Sequence, residues 1–188
     1  MKLLAVVLLC CSIAWSAFAE PVEKQGAKSM KTLVVYYSLT GKTHVVAQAL
    51  ASELNADIRR VEDVKTPSVT WWFYISAGFG ARRGKETEIK PIDAGFEGYD
   101  RVFVGSPVWG GSPSTPMNAF ISKADFTGKE VVLFMTMGGD DASSALRKMT
   151  ERIQKKGGAV VSSFALSSKK TTTAELADKT REIAQRYR

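Results

Sequence analysis

Leu33-Val34-Val35-Tyr36-Tyr37 is a short unbroken apolar run, β-branched and aromatic, with the length of a buried strand. From Thr43 the period changes. Val46, Leu50 and Leu54 recur every fourth position with Ala47 and Ala51 beside them, which predicts a helix that Asn55 can stop. The same alternation then repeats along the chain. Asp57 to Glu62 reads as a second strand and Arg101-Val102-Phe103-Val104-Gly105 as a third, followed by a Pro/Gly-rich loop and a short helix from Pro116 to Lys123. Glu130 to Met137 reads as a fourth strand. A helix carrying Leu146, Met149 and Ile153 follows and ends at Gly157-Gly158, and Ala159 to Leu166 is the fifth strand. Thr172 with Glu175 three residues later has the spacing of a capping box, opening a last helix with Leu176, Ile183 and Tyr187 on its inner side.

Strands that are apolar throughout, each followed by a helix, imply parallel βαβ units with helices on both faces of one sheet. The irregular part is the connection from Asp63 to Gly98, which holds Trp71-Trp72-Phe73-Tyr74 and Phe79. Two readings of these aromatics stand: a crossover helix that packs them on the sheet, or an exposed set that caps a ligand or docks a partner.

The chain has 188 residues, 45% hydrophobic and 24% charged, which suits one globular domain with a full core. The first residues belong to another kind of segment. Lys2 precedes an apolar run from Leu3 to Trp15, and Ala17-Phe18-Ala19 offers the small residues of a signal-peptidase site, so residues 1–19 read as a cleaved leader. Residues 20–30 then form a polar tether, and the folded domain spans 31–188. Cys10 and Cys11 follow Leu9 and each other rather than a small residue, against lipidation, and both fall in the leader. The exported chain is therefore expected to lack thiols, which excludes disulfides, cysteine nucleophiles, iron–sulfur clusters and cysteine zinc sites.

The net charge of +7 survives cleavage almost intact, because Lys2 is the leader's one charged residue. Such a balance points to nucleic acid, an anionic membrane surface or an acidic partner. Export to the periplasm or beyond argues against nucleic acid. The positive residues are also scattered, as at Arg59-Arg60, Arg82-Arg83 and Lys155-Lys156, so most read as solvated faces. His44 is the only histidine, which leaves no histidine metal cluster and no Ser/His/Asp arrangement.

In a doubly wound sheet the ligand sits beyond the carboxyl ends of the strands, where strand order reverses. Three loops leave such ends here. Ser38-Leu39-Thr40-Gly41-Lys42-Thr43 places three hydroxyls and a glycine immediately before a helix, a nest of donors suited to a phosphate. Its spacing is neither that of a Walker loop nor that of a dinucleotide fingerprint. Gly105-Ser106-Pro107-Val108-Trp109-Gly110-Gly111-Ser112-Pro113 offers a flat aromatic face with two flexible glycines beside it. Thr136-Met137-Gly138-Gly139-Asp140-Asp141 is the third, in which the aspartates either hydrogen-bond a ligand or cap the next helix.

The stretch from Val34 to Ala47 resembles the FMN-phosphate signature of the flavodoxin family, and the likeness extends in element order from Thr32 to Tyr187. The resemblance implies a flavodoxin-like five-stranded parallel sheet in the order 2-1-3-4-5. It further implies FMN held by Ser38, Thr40, Gly41, Lys42 and Thr43 at the phosphate, and by Pro107, Val108, Trp109, Gly110 and Gly111 beside the ring. Thr136, Gly138, Gly139 and Asp140 would complete the site. Family behaviour assigns the Gly110 carbonyl to the reduced ring edge. Many flavodoxins carry an aromatic residue in the third loop, absent here unless Trp71, Trp72 or Tyr74 supplies it. They are also mostly cytoplasmic and acidic, whereas this chain is basic and reads as exported.

Three functions are consistent with this pattern. The first is an electron-transfer flavoprotein serving a redox partner protein, since the cofactor carries the chemistry and no catalytic side chain stands out. The second is an FMN-dependent NAD(P)H or quinone oxidoreductase. The third is a non-redox module that keeps the fold for another phosphorylated ligand.

Overall fold

The computed structural model describes residues 30–65 and 71–188. The leader over residues 1–19 and the tether up to residue 29 lie outside the described residues, as do the side chains of Trp71, Trp72, Phe73 and Tyr74. In chain order the elements are β1 (Thr32–Tyr37), α1 (Lys42–Leu54), β2 (Asp57–Val61), α2 (Trp71–Arg82), β3 (Arg101–Trp109), β4 (Ser112–Pro113), α3 (Thr115–Lys123), β5 (Glu130–Met137), α4 (Ser143–Gln154), β6 (Ala159–Ser167) and α5 (Thr173–Ala184).

Five of the strands pair in parallel in the order β2-β1-β3-β5-β6, with the two-residue β4 added to β3. This is the expected 2-1-3-4-5 order when β4 is left out of the count. β1 is the pivot: Val34 pairs with Ile58 on one side and with Phe103 on the other. Because side chains alternate across a strand, each central strand supplies two cores. Leu33, Val35, Tyr37, Val102, Val104 and Leu133 pack with Met117 and Phe120 of α3 and Met149 and Ile153 of α4. Val34, Tyr36, Phe103, Val132 and Phe134 pack with Val46 and Leu50 of α1 and Leu176 of α5.

The expectation that every strand is apolar throughout fails at the edges. β2 exposes Asp57, Ile58 and Arg60, and β6 alternates exposed and half-buried residues, because each has one neighbour and borders water. On α5 the buried residues are Leu176, Thr180 and Ala184, while Ile183 is only half-buried, since a helix brings positions four apart onto one face. Thr180 tolerates burial by donating its hydroxyl to the Leu176 carbonyl at 2.7 Å. Tyr187, one turn beyond α5, packs edge-on against Phe103 at 5.2 Å. The predicted helix ends hold: Asn55 is left-handed (φ 47°) after α1, and Thr172 and Glu175 form a reciprocal capping box.

The Pro/Gly-rich segment after β3 is more regular than a loop. β3 runs on to Trp109, and Gly110 and Gly111, at φ 57° and 73°, turn the chain so that Trp109 pairs with Ser112 in a tight hairpin. Two consecutive positive φ values define the type I′ turn, which strongly favours glycine. The Asp63–Gly98 connection contains the crossover helix α2, then returns to the end of β2 through an isolated bridge between Asp63 and Ile89. Phe79 of α2 is exposed, so it does not pack on the sheet.

Gly105 sits at the centre of β3, opposite Phe134. A Cβ there would lie 2.0 Å from the Phe134 ring, too close for the ring to remain in place. Overpacking of this kind costs about 1–3 kcal/mol. Gly105→Ala is therefore expected to lower the urea midpoint with an unchanged slope, and Phe134→Leu in the same chain to restore part of the loss.

Candidate functional site

The phosphate-type loop begins where β1 stops. Ser38 is buried and its carbonyl accepts from Arg60 at 3.1 Å, which fixes the exit of the chain. Thr40 is exposed, and Gly41 at φ 85° forms the N-cap of α1. No side chain caps this helix end. Its first amide N–H groups are therefore left for water or an anion, and the helix dipole favours the anion. Lys42 anchors the loop by donating to the Thr171 carbonyl at 3.2 Å. Thr43 is buried, with its hydroxyl 2.7 Å from that of Thr136, so the first and third loops are joined inside the protein.

Thr40, Lys42, Pro107, Val108, Trp109, Gly110, Thr136 and Gly138 line one cavity of about 330 Å³, together with Leu39, Met137 and Ser168. Lys42 is the one charged residue among these. Ser38 lies on a smaller neighbouring cavity, while Gly41 and Thr43 stand at the start of α1. Gly111, Gly139 and Asp140 are not among the lining residues. Asp141 takes the capping role foreseen for one aspartate: it accepts from the Ser143 amide at 2.8 Å and from its hydroxyl at 2.9 Å.

Ser168 was missed by the sequence reading. It follows β6 and donates through both its amide and its hydroxyl to the Met137 carbonyl, bringing a fourth loop to the cavity. The hydroxyl-rich stretch Ser167-Ser168-Lys169-Lys170-Thr171-Thr172 was a legible signal for it, having the same character as the loop at Ser38.

Trp109 is 8% exposed and forms the wall between this cavity and a second one. Its ring meets that of Tyr37 edge-to-face at 5.7 Å. The hairpin tip beside it is tied down from two helices. Arg82 of α2 donates to the Gly110 carbonyl at 2.8 Å, and Lys148 of α4 donates to the Ser112 hydroxyl at 2.7 Å and to the Gly111 carbonyl at 3.3 Å. The carbonyl that the family resemblance assigns to the ring edge is thus held by a guanidinium. Gly78 of α2 lies backbone-to-backbone on Gly110, where a Cβ on Gly110 would come within 2.9 Å of the Gly78 oxygen.

Beneath Trp109, Tyr37 donates its hydroxyl to Asp63 at 2.6 Å. Burial first, and then the Asp63 carboxylate, push the Tyr37 phenol well above its ordinary range. Burial also raises Asp63, outweighing the hydrogen bonds from Tyr37 and Thr87 that lower it.

The flavodoxin family model matches residues 31–183. An uncharacterised protein of Methanocaldococcus jannaschii is 26% identical over 137 residues, 72% of this chain and 73% of that one. Among solved structures, one from Bacteroides eggerthii is 23% identical with a TM-score of 0.64, covering 82% of this chain and 98% of that one. A flavoprotein of Lactobacillus acidophilus, solved in complex with FMN, is 26% identical with a TM-score of 0.59, covering 72% of this chain and 93% of that one.

The buried hydroxyl pair gives one test of this geometry. Thr43→Val or Thr136→Val each leaves a buried hydroxyl without its partner, at about 1–3 kcal/mol, whereas the double variant removes both groups. Urea unfolding is expected to show the double variant losing less than the sum of the two singles. Asp63 gives a second. Because its folded pKa lies above its ordinary 3.8, its stabilising contribution is complete below that value and declines as pH rises through the folded one. Wild type is expected to lose stability relative to Asp63→Asn across that interval, as read by denaturant titration at each pH.

Proposed function

The chain belongs to the flavodoxin family, and from that premise we propose that it binds FMN in the cavity closed by the Ser38, Trp109, Thr136 and Ser168 loops and passes electrons to a redox partner outside the cytoplasm. One observation carries the reading. Among the described residues the cavity wall holds a single charged residue, Lys42, and it opens at a helix amino end that no side chain caps, which is the donor set a phosphate dianion requires.

The residues fit the rest of the group as well. Thr40, Lys42 and the first amides of α1 would hold the phosphate; Pro107, Val108, Trp109 and Gly110 on one side and Thr136, Met137 and Gly138 on the other would enclose the ring. FMN supplies reversible electron uptake, and the chain positions it and sets its surroundings. Trp109 contributes a wall that cannot move far, because Tyr37, Gly78 and Arg82 all fix its neighbourhood. For the Gly110 carbonyl to turn toward the ring, it must first leave Arg82. Among the described residues Lys42 is the charged group of this cavity and no carboxylate lines it, so these residues would favour a negatively charged group when the cofactor is bound.

Location outside the cytoplasm rests on the leader read over residues 1–19. Among the described residues no helix is long and apolar enough to cross a membrane.

Thr40→Ala removes the exposed hydroxyl of the phosphate loop, worth about 1.5–3 kcal/mol toward a charged group. Fluorescence titration is expected to show FMN affinity falling about tenfold or more, and unchanged affinity would overturn the assignment. Stepwise reduction of the loaded protein without oxygen tests the carrier role. Accumulation of one-electron-reduced flavin is expected, whereas reduction straight through two electrons would replace the carrier with a two-electron reductase.

A further inference from the structure

The surface beside the hairpin tip carries charge that the fold leaves uncompensated. Four cations meet there through contacts with backbone. Arg82 donates to the Gly110 carbonyl at 2.8 Å and Lys148 to the Gly111 carbonyl at 3.3 Å. Arg152 stands one helical turn beyond Lys148 on α4 and donates to the Gly84 carbonyl at 3.5 Å, which places it beside Arg83 in the turn that ends α2. Arg83 is exposed, and its amide continues the helix by donating to the Phe79 carbonyl at 3.3 Å.

None of the four forms an ion pair among the described residues. Carboxylates close to them in the chain have other partners: Glu151 takes Arg147 at 2.8 Å, and Glu86 accepts from Ser122 at 2.9 Å. The carboxyl end of α2 offers a helix dipole worth about half an elementary charge, far short of balancing them. Phe79 lies in the same place. It is 57% exposed, one turn before Arg83 on the same stripe of α2, while Gly78 and Arg82 form the adjoining stripe that touches the hairpin. Aromatic and arginine side chains together are the composition in which protein interfaces and their hot spots are enriched.

We propose that this face docks a folded protein whose contact surface is acidic, with Phe79 as the apolar anchor and Arg82, Arg83, Lys148 and Arg152 as the cationic rim. Acidity of the partner follows from the uncompensated charge. A protein rather than a lipid headgroup layer follows from the way the cations are held: Arg82, Lys148 and Arg152 are tied to backbone carbonyls, pre-ordered for the fixed carboxylates of a folded surface. That the docked protein is the electron-transfer partner rests on the FMN reading above, because Gly110, which Arg82 holds, also lines the cavity proposed for FMN. Redox complexes belong to the small and short-lived interfaces, in which complementary charge speeds encounter and fixes the register of docking.

The test uses the full chain without FMN and two probes, an acidic and a basic soluble c-type cytochrome of similar size. Nuclear magnetic resonance titration is run at an ionic strength of about 0.1 M, where screening confines exposed charges to about 10 Å. It is expected to show saturable binding of the acidic probe, with amide shifts confined to residues 79–84, 110–112 and 148–152. Arg83→Glu, whose side chain has no hydrogen-bond partner among the described residues, is expected to weaken that binding about tenfold or more. Phe79→Ser is expected to weaken it while leaving its salt dependence unchanged. Arg186→Glu makes the same change of net charge at an exposed site beyond α5 and is expected to leave the affinity close to that of wild type. Absence of saturable binding, equal affinity for the two probes, shifts that map elsewhere, or equal losses in Arg83→Glu and Arg186→Glu would each overturn the proposal. Binding to anionic phospholipid vesicles that Arg83→Glu abolishes, with the acidic probe unbound, would overturn it in favour of a membrane surface. FMN titration of the same preparations is a separate readout, so failure of the FMN reading and failure of this docking face are distinguishable.

Discussion

The whole molecule follows from β1 being bonded in parallel to β2 on one side and to β3 on the other. A parallel neighbour can be reached only by a crossover, and right-handed crossovers place α1 on one face and α3 on the opposite face. The chain therefore leaves the carboxyl ends of β1 and β3 in opposite directions, and a crevice opens between them that no side chain has to create. The loops at Ser38 and Trp109 are its two lips. β5, next in the sheet, brings Thr136 close enough to bond with Thr43, and that buried pair fixes the depth of the crevice.

Parallel strands buried on both faces are what made the fold legible from sequence. Val34 and Val35 face different cores, yet both positions demand an apolar residue, so the run at Leu33–Tyr37 could be read without knowing the partners. The edges were less legible for the same reason in reverse. Where one neighbour is missing, water supplies hydrogen bonds and solvates charge, and Arg59 and Arg60 are tolerated in β2. The phosphate loop was readable because it is contiguous, its hydroxyls lying within six residues of chain. Ser168 was not, because its place in the cavity depends on the pairing of β5 with β6 and on a hydrogen bond to Met137 across 31 positions.

The hairpin at Gly110-Gly111 shows how a local rule and a distant constraint coincide. A type I′ turn wants glycine at both positions for reasons of φ alone. Gly110 is also where α2 comes down on the hairpin, with Gly78 against its backbone and Arg82 on its carbonyl. Sequence reasoning found the two glycines through their freedom of conformation, but had no access to the contact, since α2 enters from the long Asp63–Gly98 connection. The glycine that permits the turn is also the one that permits the helix to approach.

Trp109 then becomes the residue through which these constraints meet. It is held edge-on by Tyr37, whose hydroxyl is spent on Asp63, and it is walled from behind by a hairpin clamped to α2 and α4. A side chain fixed from so many directions is a poor gate and a good partition. Two cavities of similar volume can coexist on its two sides because it does not move between them: among the described residues, one is lined by a lysine and hydroxyls and the other by the half-buried Asp63 with Glu88, Lys65 and Lys85.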